Sequence, residues 1–390
     1  MAGYKYLIIG GGMTADAAVR GIREIDSNGT IGLIGNDPNP PYNRPSLSKG
    51  LWKGKLLDSI WRKTQELSVD LHLGRTANSI DPDKKVIHDD RGGDYLYEKL
   101  LLATGGTPRE LPFGSEDIIY FRTLEDYQHL REMTTRAKHF GVIGGGFIGS
   151  EIAAALTMNG KKVSMVFPDT GIGARIYPQE LSDYLNSYFR QKGVEVLAGV
   201  HVNGLEKHDH SYQLITDDGK RLHVDGVIAG IGILPNVELA QVAGLKIGNG
   251  IVVDDTLHTS HPDIFAAGDV AEFYNPTLGK RLRIEHKDNA TTMGKQAGRN
   301  MAGANEPYTH LSYFYSDLFE LGYEAVGELD PHLETVVDWK EKFKQGVVYY
   351  LAGGRVRGVL LWNVWDSVPK ARTLIAEPGP ITAADLNGRL

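Results

Sequence analysis

Two glycine-rich turns constrain this chain more than any other feature. The first, Gly10-Gly11-Gly12-Met13-Thr14-Ala15, follows the apolar run Tyr6-Leu7-Ile8-Ile9 and precedes the helical pattern Ala17-Ala18-Val19. The second, Gly144-Gly145-Gly146-Phe147-Ile148-Gly149, follows His139 to Ile143 and opens a helical stretch from Ser150 to Met158. In both, a short strand runs through glycines into a helix, as in a βα unit. Gly10 and Gly144 make the tight turn, Gly12 and Gly146 let the backbone approach a pyrophosphate, and the small Ala15 and Gly149 let helix pack on strand. The helix start then offers free N–H groups and a positive dipole end. An acid follows each turn after the next strand, Asp37 and Asp169, roughly 25 residues on, where a carboxylate accepts ribose hydroxyls. One glycine cluster is a turn, whereas two with strand, helix and acid imply two dinucleotide-binding domains.

The 390-residue length allows two or three domains. Lys plus Arg is 42 against 49 for Asp plus Glu, a formal charge of −7, which provides no electrostatic footprint for nucleic acid or an anionic membrane. No apolar stretch approaches the roughly 18 residues of a membrane span, and no signal-peptide succession opens the chain; a cytoplasmic protein is expected. Cysteine is absent, which excludes disulfide scaffolds, thiolate metal sites, thiol nucleophiles and dithiol redox chemistry.

Further strands also end at glycine: Leu100 to Ala103-Thr104-Gly105, leading to Arg109; Val227 to Gly232; and Ile264 to Gly268-Asp269. Ligands of open α/β sheets sit at such carboxyl edges. A helix is predicted over Asn289 to Met301. From about Pro307 aromatics and alternating segments predict a third, α+β domain ending in a helix from Ser367 to Ala376 and a polar tail. His208-Asp209-His210 reads as a solvated hairpin turn, and no metal site is expected. The basic run Lys49, Lys53, Lys55, Arg62 and Lys63 is a candidate rim for an acidic carrier.

These residues, with Pro41-Tyr42-Asn43-Arg44-Pro45-Ser46-Leu47-Ser48-Lys49 and Ala266-Ala267-Gly268-Asp269, resemble the FAD-dependent pyridine-nucleotide reductases, in the branch of ferredoxin reductases, rubredoxin reductases and apoptosis-inducing-factor proteins. The resemblance implies an α/β fold of two Rossmann-like nucleotide-binding domains plus a C-terminal α+β domain. FAD would occupy residues 1–112 and 241–306, NAD(P)H residues 113–240, and residues 307–390 would form the interface domain. In the same reading Gly10, Gly12, Ala15, Asp37, Arg44, Ala103, Thr104, Gly105, Arg109, Gly268 and Asp269 serve FAD. Gly144, Gly146, Phe147, Ile148, Gly149, Asp169 and Gly232 serve NADH, favoured over NADPH because Asp169 repels a 2′-phosphate, although Arg175 keeps NADPH open.

Lys49 and Glu151 are the catalytic candidates by resemblance: a lysine beside the flavin, kept charged and aimed by a carboxylate at the start of the second helix. Glu285, His286, Lys287 and Tyr315 are further cofactor-side candidates. Lys287 departs from the tryptophan of many ferredoxin reductases, and Phe314-Tyr315-Ser316-Asp317-Leu318 resembles the apoptosis-inducing-factor branch. Without cysteine, electrons pass from flavin to acceptor with no thiol relay. The expected function is an NADH-dependent reductase of a small carrier such as a ferredoxin or rubredoxin. The alternative is an NADH-responsive flavoprotein whose long-lived charge-transfer complex switches dimerisation or partner binding. The aromatic third domain offers either a homodimer face or an acceptor dock.

Overall fold

The computed structural model describes residues 2–390, which cluster into two compact units. The first comprises residues up to Asn43, Asp58–Thr107 and Leu234–Tyr313; the second comprises Arg44–Leu57, Pro108–Ile233 and Phe314–Leu390.

The first unit is built on a seven-stranded sheet. Its strand Ala2–Ile9 lies parallel between Ile31–Gly35 and Asp94–Leu102, with Ile9 opposite both Ile34 and Leu102. Ile264–Ala266 adds on parallel, with Ala266 opposite Leu102. The carboxyl halves of these strands, Tyr6 to Ile9, Ile31 to Ile34 and Leu100 to Leu102, are apolar and buried, as in a sheet covered on both faces. The register brings Gly10, Gly35, Ala103 and Ala267 to one carboxyl edge. Helices Met13–Ile25 and Lys287–Met301 pack together on this sheet. The second begins two residues before the expected Asn289, with His286 as its N-cap.

Glycines permit the close crossing of these helices. A Cβ on Gly21 would lie 2.0 Å from the Lys295 carbonyl oxygen, and one on Gly298 2.0 Å from that of Ala18. On another face of the first helix Asp16 is fully buried, accepting from Arg20 Nε at 3.0 Å, Arg62 Nε at 2.6 Å and Thr64 Oγ1 at 2.7 Å. Burial opposes its charge, but the hydrogen bonds from Arg20 and Thr64 and the Arg62 guanidinium outweigh it and hold its carboxyl below the usual range. Arg62 in turn donates to Asn43 Oδ1 at 2.9 Å.

The second unit contains a five-stranded parallel sheet in the order Val194–Ala198, Lys162–Phe167, His139–Ile143, Gly226–Ala229, Ile118–Tyr120. Ile143 lies opposite Val166 and Ala229, so Gly144 and Gly230 share an edge. An antiparallel hairpin sheet, Val202–His208, Ser211–Thr216 and Arg221–Val224, lies alongside. His208-Asp209-His210 is its exposed turn, and no cluster of metal-ligating side chains occurs among the described residues. The C-terminal antiparallel sheet runs in the order Tyr313–Leu318, Leu321–Gly327, Arg355–Trp362, Gln345–Ala352, Glu334–Glu341. The last long helix spans Val368–Ala376, and the expected polar tail contains a further helical turn, Ala383–Leu386. Thr382 and Asp385 form its capping box, a Thr-x-x-Asp signal legible in the sequence. No described helix is long and apolar enough to cross a membrane.

Two stability predictions follow from the helix pair. Alanine usually stabilises a helix interior relative to glycine, by about 0.5–1 kcal/mol. At Gly298 the sign reverses: Gly298→Ala is expected to destabilise by about 1–3 kcal/mol through overpacking, read by urea denaturation. Asp16→Asn is expected to cost up to about 3 kcal/mol at neutral pH, since it removes the countercharge of Arg62. Because the folded carboxyl titrates below its unfolded value, this stability is present above about pH 4 and is lost as pH falls through the folded pKa. The gap between wild type and variant should therefore close on acidification.

Candidate active site

In the first unit the carboxyl edge of the sheet is made by backbone. Gly10 has φ +125°, and a Cβ there would sit 2.1 Å from the Ala103 carbonyl oxygen. Gly12 is open to its surroundings and caps the helix Met13–Ile25 with no side-chain hydrogen bond, leaving first-turn N–H groups for an anion. Ala15 is fully buried at this contact. Asp37 is aimed by its neighbours: Oδ1 accepts from Asn39 N and Nδ2, each at 2.9 Å, and Oδ2 from the Tyr42 hydroxyl at 2.8 Å.

A cleft of about 430 Å³ opens beside Gly10, Gly35, Asn36, Thr104 and Asn236. Thr104 and Asn236 cross-link its wall, Thr104 Oγ1 donating to the Asn236 carbonyl at 2.7 Å and Asn236 Nδ2 to that of Thr104 at 3.0 Å. Gly105 accepts from Asn236 N at 3.0 Å. The cleft, the free helix start and the acid fit a dinucleotide.

Gly268 approaches the same helix, a Cβ there falling 2.3 Å from Thr14 Oγ1. Arg283, which sequence reasoning missed, donates to the Asp269 carbonyl at 2.9 Å and pairs with Glu285 at 2.6 Å. Glu285 thus holds Arg283. His286 caps and Lys287 starts the following helix, where Asp288 meets His310 Nε2 at 2.6 Å.

The second unit repeats the edge. Gly144 has φ +115°, and its Cβ would lie 2.4 Å from the Gly230 carbonyl oxygen; one on Gly149 would lie 2.0 Å from that of Gly144. Gly146 caps the helix Phe147–Met158 without a side-chain bond, so this edge also fits a dinucleotide. Ile148 flanks Gly230, and Arg109 N donates to the Gly232 carbonyl at 2.9 Å. Arg175 lies 3.2 Å from Asp169 but is 79% exposed, so it partners the acid from solvent.

Glu151 stands on the second turn of the helix Phe147–Met158 as its only charged residue, and it is only 3% exposed. A charge buried there needs donors. Lys49 Nζ lies 2.6 Å from Oε1, Ser316 Oγ donates to Oε1 at 2.5 Å, and Ser48 Oγ donates to Oε2 at 2.6 Å. The Tyr315 ring lies 5.2 Å from Lys49 Nζ, within cation–π range. Phe147, 37% exposed, meets Phe314 edge-on at 5.4 Å.

The segment carrying Lys49 is itself fixed. Arg44 begins the 3-10 turn Arg44–Leu47, and Lys49 precedes a second, Gly50–Lys53. Trp52 Nε1 donates to the Leu47 carbonyl at 2.8 Å, with its ring against Tyr127 and under the Arg131 guanidinium. Tyr177 and Tyr323 pack behind the cluster, 5.6 Å apart. Burial above all pushes both hydroxyls far above their ordinary pKa, so they stay protonated and neutral.

Ser48, Ser316, Tyr177, Tyr323, Asn236 and Arg283 were not singled out from sequence; the two serines stand inside quoted motifs, but a serine has no signature of its own. The basic run is largely neutralised: Lys49 pairs with Glu151, Lys53 with Asp317, Arg62 with Asp16 and Lys63 with Glu66.

Comparison with known proteins agrees with this geometry. Residues 4–294 match the model described as pyridine nucleotide-disulphide oxidoreductase, and residues 297–340 and 337–377 match that of the apoptosis-inducing factor, mitochondrion-associated, C-terminal domain. The mitochondrial apoptosis-inducing factor 1 of Dictyostelium discoideum is 35% identical over 428 aligned positions, covering 98% of this chain and 80% of that protein. The ferredoxin–NAD(+) reductase component of the anthranilate 1,2-dioxygenase system of Burkholderia cepacia is 32% identical over 399, covering 99% and 98%. The solved covalent putidaredoxin reductase–putidaredoxin complex superposes with a TM-score of 0.92 at 30% identity, covering 99% of this chain and 96% of that one. With two dinucleotide edges, no cysteine for disulphide chemistry and matches along its whole length, the chain belongs to the pyridine nucleotide-disulphide oxidoreductase family, as a flavin- and pyridine-nucleotide-dependent oxidoreductase with a C-terminal domain of the apoptosis-inducing-factor type.

Proposed function

We propose that this protein oxidises NADH and reduces a small electron-carrier protein of the ferredoxin or rubredoxin kind through FAD, with no thiol relay. The observation that carries this reading is the buried Lys49–Glu151 pair at the start of the second dinucleotide helix in a chain without cysteine. In it, residues 1–112 and 241–306 bind FAD, 113–240 bind NADH, and 307–390 form the carrier-facing domain. FAD and nicotinamide, when bound, supply a two-electron transfer followed by release of electrons one at a time.

The chain's own groups bind and orient. The Gly10 and Gly144 edges would hold the pyrophosphates, Asp37 and Asp169 the ribose hydroxyls, and Thr104 and Asn236 the wall of the first site. Glu151 aims Lys49, and Lys49 presents positive charge where electron density arrives. Phe147, half-exposed at the helix start, is placed to cover the nicotinamide. Asp169 supports NADH over NADPH, because a 2′-phosphate would meet its carboxylate.

The second reading, an apoptosis-inducing-factor-like switch, draws on the C-terminal domain match. The alignment lengths favour the enzyme. The Dictyostelium relative needs 428 positions to cover 98% of 390 residues, so it carries several tens of residues that this chain lacks, whereas the Burkholderia reductase aligns over 399. Rapid turnover with a carrier supports the reductase; a persistent long-wavelength band after NADH, with a mass change on light scattering, supports the switch.

Lys49→Ala and Glu151→Ala are each expected to slow flavin reduction by NADH by about 100-fold in stopped-flow with FAD still bound. Unchanged rates in both would remove the pair from the site, and a protein purified without flavin would end the reading. Asp169→Ala should shift the ratio of kcat/KM for NADPH over NADH upward by about tenfold, a change worth about 1.4 kcal/mol.

A further inference from the structure

We propose that Ser316 is a positioning residue for the Lys49–Glu151 pair, so that the C-terminal sheet itself aims the site lysine. The inference rests on the reading of Lys49 as the residue beside FAD. Four consecutive residues of the strand Tyr313–Leu318 reach the helix Phe147–Met158 or the lysine segment. Phe314 meets the Phe147 ring at 5.4 Å, Tyr315 lies 5.2 Å from Lys49 Nζ, Ser316 donates to Glu151 Oε1 at 2.5 Å, and Asp317 pairs with Lys53 at 3.1 Å.

The pattern follows from two periodicities. In a strand, Phe314 and Ser316 share one face and Tyr315 and Asp317 the other. Phe147 and Glu151 stand four apart on one helix face, and Lys49 and Lys53 are likewise four apart across the turn Gly50–Lys53. One strand face therefore reads the helix and the other reads the lysine segment.

Within this clamp Ser316 has a distinct task. It is 1% exposed, a position where a hydroxyl is unfavourable unless its hydrogen bond is made. Its partner Oε1 is the oxygen that Lys49 also contacts, whereas Ser48 holds Oε2. With both oxygens held, the carboxylate has one orientation, and Lys49 is directed by that orientation. Without Ser316, Oε1 keeps Lys49 alone, and the two side chains can turn together about the Ser48 anchor.

The test uses the FAD-loaded full chain with S316A, S316T and S48A, and K49A as reference. Stopped-flow reduction by NADH yields a limiting rate and an NADH Kd, and spectroelectrochemistry yields the FAD midpoint potential. S316A and S48A should each lower the limiting rate by about tenfold with the NADH Kd changed less than about twofold. Their FAD potential should move in the direction seen in K49A, by less, and S316T should recover most of the rate.

Wild-type rate and potential in S316A overturn the proposal. So does a rate loss that tracks FAD content and NADH Kd together, the mark of a merely structural role. Should S316T fold poorly, S48A decides: a slowed rate at unchanged Kd supports the clamp, and a wild-type rate overturns it. If K49A itself reduces normally, the functional reading fails and this inference with it; if K49A is slow and S316A is not, this inference alone fails.

Discussion

A carboxylate buried on an apolar helix has to find donors or lose its charge, and Glu151 finds three. Lys49, Ser48 and Ser316 come from two separate stretches of chain, and each must be delivered to within hydrogen-bond distance. Much of the second unit serves that delivery. Trp52 locks the lysine segment through the Leu47 carbonyl and Tyr127, the Gly144 edge sets where the helix starts, and the C-terminal sheet brings in residues 314–317. An isolated buried charge is unfavourable by several kcal/mol even after relaxation, so these elements are mutually required rather than simply adjacent.

Both glycine-bearing sheet edges solve a different problem, the approach of backbone to backbone. At Gly10 and Gly144 the left-handed φ and the nearby carbonyl of the adjoining strand's end leave no room for a Cβ. The helix starts at Gly12 and Gly146 are left uncapped by side chains, so their N–H groups remain available to an anion. In the first unit the same economy of volume recurs at the crossing of the two helices, where Gly21 and Gly298 admit main chain from the facing helix. Buried Asp16 ties the helix Met13–Ile25 to Arg62 and, through it, to Asn43.

The absence of cysteine has a narrower meaning once the fold is known. The family's name includes disulphide chemistry, yet this chain has no cysteine to carry it. Its redox work falls on bound cofactors, and the protein contributes binding, charge and exclusion. Under the proposed function, acceptor choice then depends on surface shape and side chains rather than on a thiol pair, and the C-terminal domain holds part of the site as well as any docking face.

Much of this was legible from the chain alone. Local glycine geometry is a property of a few adjacent residues, so both edges and both acids could be read from the pattern strand, Gly-x-Gly, helix, acid. Family resemblance added the pairing of Lys49 with Glu151, which no spacing rule predicts. The helix starting at Lys287 and the turn Ala383–Leu386 were displaced or missed because end signals such as a Thr-x-x-Asp box are short and common. By itself the sequence determined two nucleotide-binding βα units, no thiol chemistry and a third domain of different texture. Tertiary structure decided that Ser48 and Ser316 hold the two oxygens of one carboxylate, that Asn236 walls the first cleft with Thr104, and that most of the basic run is paired. The physical reason is that a serine or a lysine acquires its role from what lies within about 3 Å of it, and those neighbours stand more than a hundred residues away along the chain.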